Sequence, residues 1–139
     1  MMVLFLLCFI AVAEGAEWVL YGRGSSGVSY YDSESITHPS EDIVGVWEKR
    51  IYSDEAIESI GQDFGVPDIS ESKGLSEFNC RTRERRIVRG WFYNSPMEEV
   101  RHTGHMPVGW LQIIPERNAE NLYKIVCEKV TVRLPHILP

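Results

Sequence analysis

No stretch of this 139-residue sequence stays apolar for the roughly 20 residues that a membrane-spanning helix needs. The one long uncharged run, MMVLFLLCFIAVA at residues 1–13, is too short, and no Lys or Arg precedes it. Ala11 and Ala13 supply the small-residue pattern that signal peptidase accepts, so the run reads as an export signal, cleaved after residue 13 or after residue 15. The missing basic residues are its one departure from that pattern, and the alternative is a buried N-terminal strand or helix. Small residues are also missing before Cys8, where Phe5, Leu6 and Leu7 stand, so lipoprotein processing and a lipid anchor are not expected. The mature chain is therefore expected in the periplasm or secreted, without a transmembrane segment.

Cysteine is scarce, at three residues. Cys8 leaves with the export signal, which leaves Cys80 and Cys127 in an oxidising compartment where paired thiols persist as disulfides. Two unpaired buried thiols are the alternative. Closing a loop of about 48 residues would stabilise the fold by roughly 4 kcal/mol in chain-entropy terms. A contribution of that size matters in a domain with a small core.

Positive charge is in deficit, with 14 Lys and Arg against 20 Asp and Glu and a net charge of −6. Nucleic-acid binders are usually basic, so no nucleic-acid partner is expected. Internal repeats, low-complexity tracts and a second apolar span are absent, and the composition is that of one globular domain, placed at residues 17–130 with a frayed tail at 131–139. Catalytic signatures are missing as well. The sequence holds no nucleophile elbow, no HExxH, no phosphate loop and, once the bridge forms, no free cysteine. No catalytic residue and no cofactor is expected.

What is present reads mainly as strands. Trp18-Val19-Leu20-Tyr21 is a first strand, residues 22–27 a turn, and Val28-Ser29-Tyr30-Tyr31-Asp32 the returning strand. Ser35-Ile36-Thr37 runs into a turn at His38-Pro39-Ser40. Residues 43–52 form a third strand with Ile43, Trp47 and Ile51 facing one way. Residues 53–73, acidic and interrupted by Gly61, Gly65 and Pro67, read as a mobile insertion with one helical turn near residues 54–60. Residues 75–93 are either two strands or one long bent strand. Residues 94–109 read as a loop and Trp110 to Ile114 as a last short strand halted by Pro115. Beyond it the period changes: Ala119, Leu122, Tyr123, Val126, Cys127 and Val130 make an amphipathic helix stripe. A disulfide from Cys127 to Cys80 would fix that helix on the sheet, giving an α+β layer arrangement of an antiparallel sheet and a C-terminal helix.

Four motifs carry possible chemistry. Gly22-Arg23-Gly24-Ser25-Ser26-Gly27 matches the dinucleotide glycine pattern, but that site needs a helix to begin there and face a pyrophosphate. Here a strand follows, so a hairpin connection explains the glycines. His102 and His105 could offer two imidazoles, whereas zinc needs three or four ligands, and Glu98 and Glu99 read as solvated loop residues; no metal site is expected. Arg81, Arg83, Arg85, Arg86 and Arg89 form a basic cluster, of which Arg81, Arg83, Arg85 and Arg89 would share one face of an unbroken strand. Such a face is either solvated and paired with acidic neighbours or a patch for an anionic partner, such as a sulfated glycan or an acidic protein surface. The aromatics Trp18, Tyr30, Tyr31, Trp47, Trp91, Phe92, Tyr93 and Trp110 lie almost entirely on strands. Core packing is their ordinary use, and a subset exposed on one face would make a recognition patch.

The order of several pieces resembles the surface-adhesin protein E-like family of exported bacterial proteins. They are Glu17-Trp18-Val19-Leu20, Val28 to Asp32 with Ser35-Ile36, Ile43-Val44-Gly45-Val46-Trp47, Cys80 with Arg83 and Arg86, Trp91-Phe92-Tyr93-Asn94, Trp110 to Pro115, and Val126-Cys127. The resemblance spans nearly all of the mature chain. It implies an antiparallel sheet of about six strands with the terminal helix tethered by this same disulfide, on a surface protein that binds host matrix and serum proteins and can dimerise. The sequence departs from the family in lacking a usable lipobox, in carrying Arg117 where many relatives have a small helix-capping residue, and in its acidic segment 53–73. No ligand-binding residue can be carried over.

The leading expectation is a non-enzymatic binding module that engages a protein or glycan partner. The alternatives are a homodimeric envelope accessory and a periplasmic small-ligand or metal-binding protein using the His102/His105 loop.

Overall fold

The computed structural model describes residues 15–65, 68–103 and 109–129. The export segment, His105, Val130 and the tail at 131–139 lie outside the described residues. Within them the chain runs through β1 (Trp18–Gly24), β2 (Gly27–Asp32), a 3-10 turn (Ser33–Ser35), β3 (Thr37–Ser40), β4 (Ile43–Tyr52), α1 (Asp54–Phe64), β5 (Ile69–Asn79) and β6 (Glu84–Asn94). β7 (Glu99–Thr103), β8 (Leu111–Gln112) and α2 (Asn118–Cys127) complete it. Every strand pairing is antiparallel, in the order β1-β2-β4-β5-β6-β7, with β3 added on β4 and β8 on β6. The fold is α+β, as the run of strands followed by a helix implies.

Alternation along β4 decides what is inside. Val44, Val46 and Glu48 point to the side covered by α2 and are buried there. Together with Tyr21 and Phe78 they meet Leu122, Tyr123 and Val126 of α2, and Ile113 closes the cluster. A register shift between Leu20 and Gly22 lets β1 turn Tyr21 into this core. Gly22 then lies under Asn118, where a Cβ would come within 2.4 Å of the Asn118 side chain. Asn121 Nδ2 donates to the Tyr21 carbonyl at 3.1 Å and ties the helix to β1.

The disulfide joins Cys80, just past the end of β5, to Cys127, the last residue of α2, with the two Cα atoms 5.4 Å apart. Tyr123 Oη donates to the Cys80 carbonyl at 2.8 Å beside it. The glycine-rich segment is a hairpin. Ser25 and Ser26 form its two-residue tip between the paired Gly24 and Gly27. Gly27 adopts φ 129°, and a Cβ there would lie 2.0 Å from the Ile51 carbonyl oxygen, so the glycine serves the approach of β4.

Four expectations need correction. Residues 53–73 hold far more than one helical turn: α1 runs for 11 residues and β5 begins at Ile69. The acidic residues that suggested disorder serve the helix start. Ser53 caps it by accepting from the Ala56 N–H, and Asp54 and Glu55 lie in the first turn, where the helix dipole favours negative charge. Gly65, at φ 65°, ends it. The turn placed at His38-Pro39-Ser40 is the strand β3, which among the described residues pairs with β4 alone, so the N–H that Pro39 lacks is not needed for a second ladder there. Residues 94–109 hold the edge strand β7, whose polar, exposed sequence lacks the alternation that marks a half-buried strand. The last strand shrinks to Leu111–Gln112. Residues 75–93 resolve as two strands, joined by a turn at residues 80–83.

Candidate binding face

The register that buries Val44, Val46 and Phe78 under α2 sends the alternate residues of each strand to the opposite, outer face. Trp47 and Lys49 of β4 point there, with Leu75 and Lys73 of β5 opposite them. On β6 the same face carries Arg86, Arg89, Trp91 and Tyr93, and on β7 it carries His102 opposite Trp91. Ile43, Trp47 and Ile51 therefore do share a face, and it is the one turned away from α2.

The outer aromatics touch one another across strands. The Trp47 and Trp91 rings lie 5.3 Å apart, and Trp91 stacks on His102 at 4.8 Å with 12° between the planes. Cations border the rows. Lys49 Nζ sits 4.7 Å from the Trp18 ring and 5.1 Å from the Tyr30 ring, Lys73 lies over Tyr93 at 5.4 Å, and the Arg86 guanidinium over Trp110 at 4.4 Å. Trp18, Tyr30, Trp47, Trp91, Tyr93 and Trp110 are all only half-buried. Large aromatics left half in water on a sheet face, with cations fixed over them, can hold a partner by stacking, apolar burial and charge together.

The five arginines do not form one patch. β6 starts only at Glu84, so Arg81 and Arg83 lie in the turn before it. Arg81 pairs with Asp42 at 3.3 Å, and Arg83 with Glu120 at 3.2 Å and Glu128 at 3.6 Å. A register shift between Leu75 and Ser76 then breaks the alternation of β6, so Arg85, opposite Phe78, and Arg89, opposite Leu75, point to opposite faces. Arg85 goes inward to Glu48, while Arg86 stays outside with Glu77 at 2.6 Å. Arg89 is exposed on the outer face, with no ion-pair partner among the described residues.

Sequence reasoning missed the inner polar cluster. Glu48 is buried on the α2 side, where Tyr21 Oη donates to its Oε1 and the Arg85 guanidinium to its Oε2; Arg85 also donates to Ser76 Oγ at 3.2 Å. Burial pushes the Glu48 carboxyl up, but the Arg85 charge and hydrogen bonds with Ser76, Tyr21 and Arg85 together hold it below the ordinary carboxylate range. Burial, then the neighbouring Glu48, pushes the Tyr21 hydroxyl up, so it stays a donor. A glutamate at the third inward position after Val44 and Val46 was the available signal. His102 is held in the Trp91 stack, and no group of three or more possible metal ligands occurs among the described residues.

No curated protein sequence matches the chain. Among solved structures, that of Haemophilus influenzae protein E is similar to it, with a TM-score of 0.50 and 18% identity, covering 81% of this chain and 84% of that one. The crystal structure of protein E from non-typeable Haemophilus influenzae gives a TM-score of 0.48 and 17% identity, over 78% of this chain and 75% of that one. At these identities the first likeness establishes a shared fold. The family described as surface-adhesin protein E matches residues 18–128, from the first residue of β1 to just past Cys127. The chain therefore belongs to the surface-adhesin protein E family.

Proposed function

We propose that this chain is an exported, non-enzymatic binding module that holds a protein or glycan partner against the outer face of its sheet. The observation that carries this reading is the row Trp47–Trp91–His102, half in solvent and stacked across β4, β6 and β7, with the exposed Arg89 on the same face. Membership of a family described as surface adhesins supports a binding role over catalysis. The outer cations supply the anionic preference that the arginine cluster suggested, with Arg89 as its exposed member, Arg86 beside it held by Glu77, and Arg81, Arg83 and Arg85 engaged elsewhere. A short apolar leader and a disulfide between the two remaining cysteines support export.

The test is a binding screen of the oxidised chain against immobilised matrix proteins and sulfated glycans, followed by surface plasmon resonance on each hit. Saturable binding is expected. Trp91→Ala should weaken it about tenfold or more, as loss of a central aromatic anchor does. Arg89→Ala should lower the on-rate and its salt dependence. Glu55→Gln on α1 should leave both unchanged. Absence of any saturable partner, or a partner indifferent to Trp91→Ala and Arg89→Ala, overturns the reading.

A further inference from the structure

On the inner face, beyond the cover of α2, β4, β5 and β6 hold a cleft of about 160 Å³. Its floor exists because Gly74 and Gly90 pair directly across β5 and β6, leaving a gap in the layer of side chains. Arg50 stands at one wall. Its Nε donates to Ser29 Oγ at 3.3 Å, and it has no ion-pair partner among the described residues. Arg85 stands at another, bound to Glu48, with its own Nε buried and without a hydrogen-bond partner among the described residues. Two guanidinium groups therefore face one carboxylate. This local excess of positive charge sits within a chain of net charge −6.

The rest of the lining is apolar or neutral. Ile87 and Phe92 form the far side, and Tyr52 Oη shares a hydrogen bond of 2.9 Å with Ser72 Oγ at the rim. Ile87 is 41% exposed there. An unpaired cation at one wall and apolar side chains at the other complement a single amphipathic anion.

We propose that this cleft binds a small organic carboxylate with an aliphatic chain, its carboxylate on Arg50 and its chain against Ile87 and Phe92. The site is separate from the outer aromatic face, and its occupancy does not depend on an adhesive role. A fixed guanidinium forms a charge-assisted, bidentate contact with a carboxylate, and the chain buries apolar surface of Ile87 and Phe92.

Octanoate is the probe, titrated calorimetrically into the oxidised full chain beside 1-octanol, which lacks the charge, and acetate, which lacks the chain. Saturable octanoate binding is expected, with both comparators about tenfold weaker or worse. Arg50→Gln should weaken octanoate about tenfold, while Arg50→Lys, which keeps the charge, restores most of it. Ile87→Asp, at a position 41% exposed, should weaken octanoate by a similar factor. Circular dichroism of each variant confirms the fold. Absence of saturable octanoate binding overturns the proposal. So does octanol binding as well as octanoate, or unchanged affinity in both Arg50→Gln and Ile87→Asp.

Discussion

Arg85 of β6 and Glu48 of β4 form an ion pair across the intervening strand β5, on the side of the sheet that α2 covers. Tyr21 donates to the same carboxylate from β1, so one buried acid links side chains from opposite halves of the sheet. Two charges taken out of water are held by each other, and removing one strands its partner. Glu48→Gln should therefore lower stability to urea by about 3 kcal/mol. The pH dependence follows from the lowered carboxyl of Glu48. A group that titrates lower in the folded than in the unfolded state contributes fully above its unfolded pKa and loses that contribution as pH falls through its folded pKa. Stability should thus decline on acidification below about pH 4, and less steeply in Glu48→Gln. Equal acid slopes in the two proteins would assign the decline to other carboxylates, such as Glu120, which the Glu116 backbone N–H above all holds low.

The bridge between Cys80 and Cys127 spans 47 positions and joins the end of β5 to the end of α2. Without it, the core loses its covalent lock on the helix that supplies Leu122, Tyr123 and Val126. The Cys80→Ala/Cys127→Ala double variant should be less stable than the oxidised chain by roughly 4 kcal/mol, measured by urea denaturation. The reduced native chain should fall by a similar amount. A loss confined to α2, seen as hydrogen exchange there with the sheet unchanged, would mean that the sheet stands without the bridge.

The parts of this fold that were legible in the sequence are those where one residue type has one physical use. The Leu122, Tyr123 and Val126 stripe reads as a helix because only a 3.6-residue period buries it on one side. Two cysteines left in an exported chain read as a bridge for chemical reasons. The arginine cluster misled because alternation survives only in an unbroken strand, and the shift opposite Leu75 and Ser76 is set by pairing between β5 and β6. The acidic segment misled because Asp54 and Glu55 look alike in a disordered loop and in the first turn of a helix. The outer aromatic row was visible only as a list of strand aromatics. Which of them meet depends on placing Trp47 and Trp91 diagonally across β5, and that is a matter of register.

Gly27 shows how such register is enforced. Its φ of 129° and the Ile51 carbonyl beside it leave no room for a side chain. The hairpin tip also anchors α1, since Ser53 donates to the Ser25 carbonyl at 2.7 Å through its hydroxyl and to the Ser26 carbonyl at 3.1 Å through its backbone N–H. Gly27→Ala must shift β2 from β4 and disturb the cap of α1 as well. The expected loss is about 2 kcal/mol or more in urea denaturation, whereas Gly24→Ala, with open space around the added methyl, should change stability little. Equal effects at the two glycines would place the constraint in the turn itself.

Arg117 points to an improvement. It occupies the N-cap of α2 with extended backbone angles, φ −104° and ψ 158°, and its side chain makes no capping hydrogen bond. Glu120, three residues on, reaches back past the cap and accepts from the Glu116 N–H at 2.8 Å. A serine at 117 would add the side-chain acceptor for the N–H groups of the first turn that the cap lacks. Arg117→Ser should raise stability by about 1 kcal/mol, read as a higher thermal midpoint in the oxidised chain. The gain should vanish in Arg117→Ala, which removes the same charge without supplying an acceptor. If serine and alanine behave alike, the unfilled cap is not what limits α2, and the bridge at its other end is what holds it.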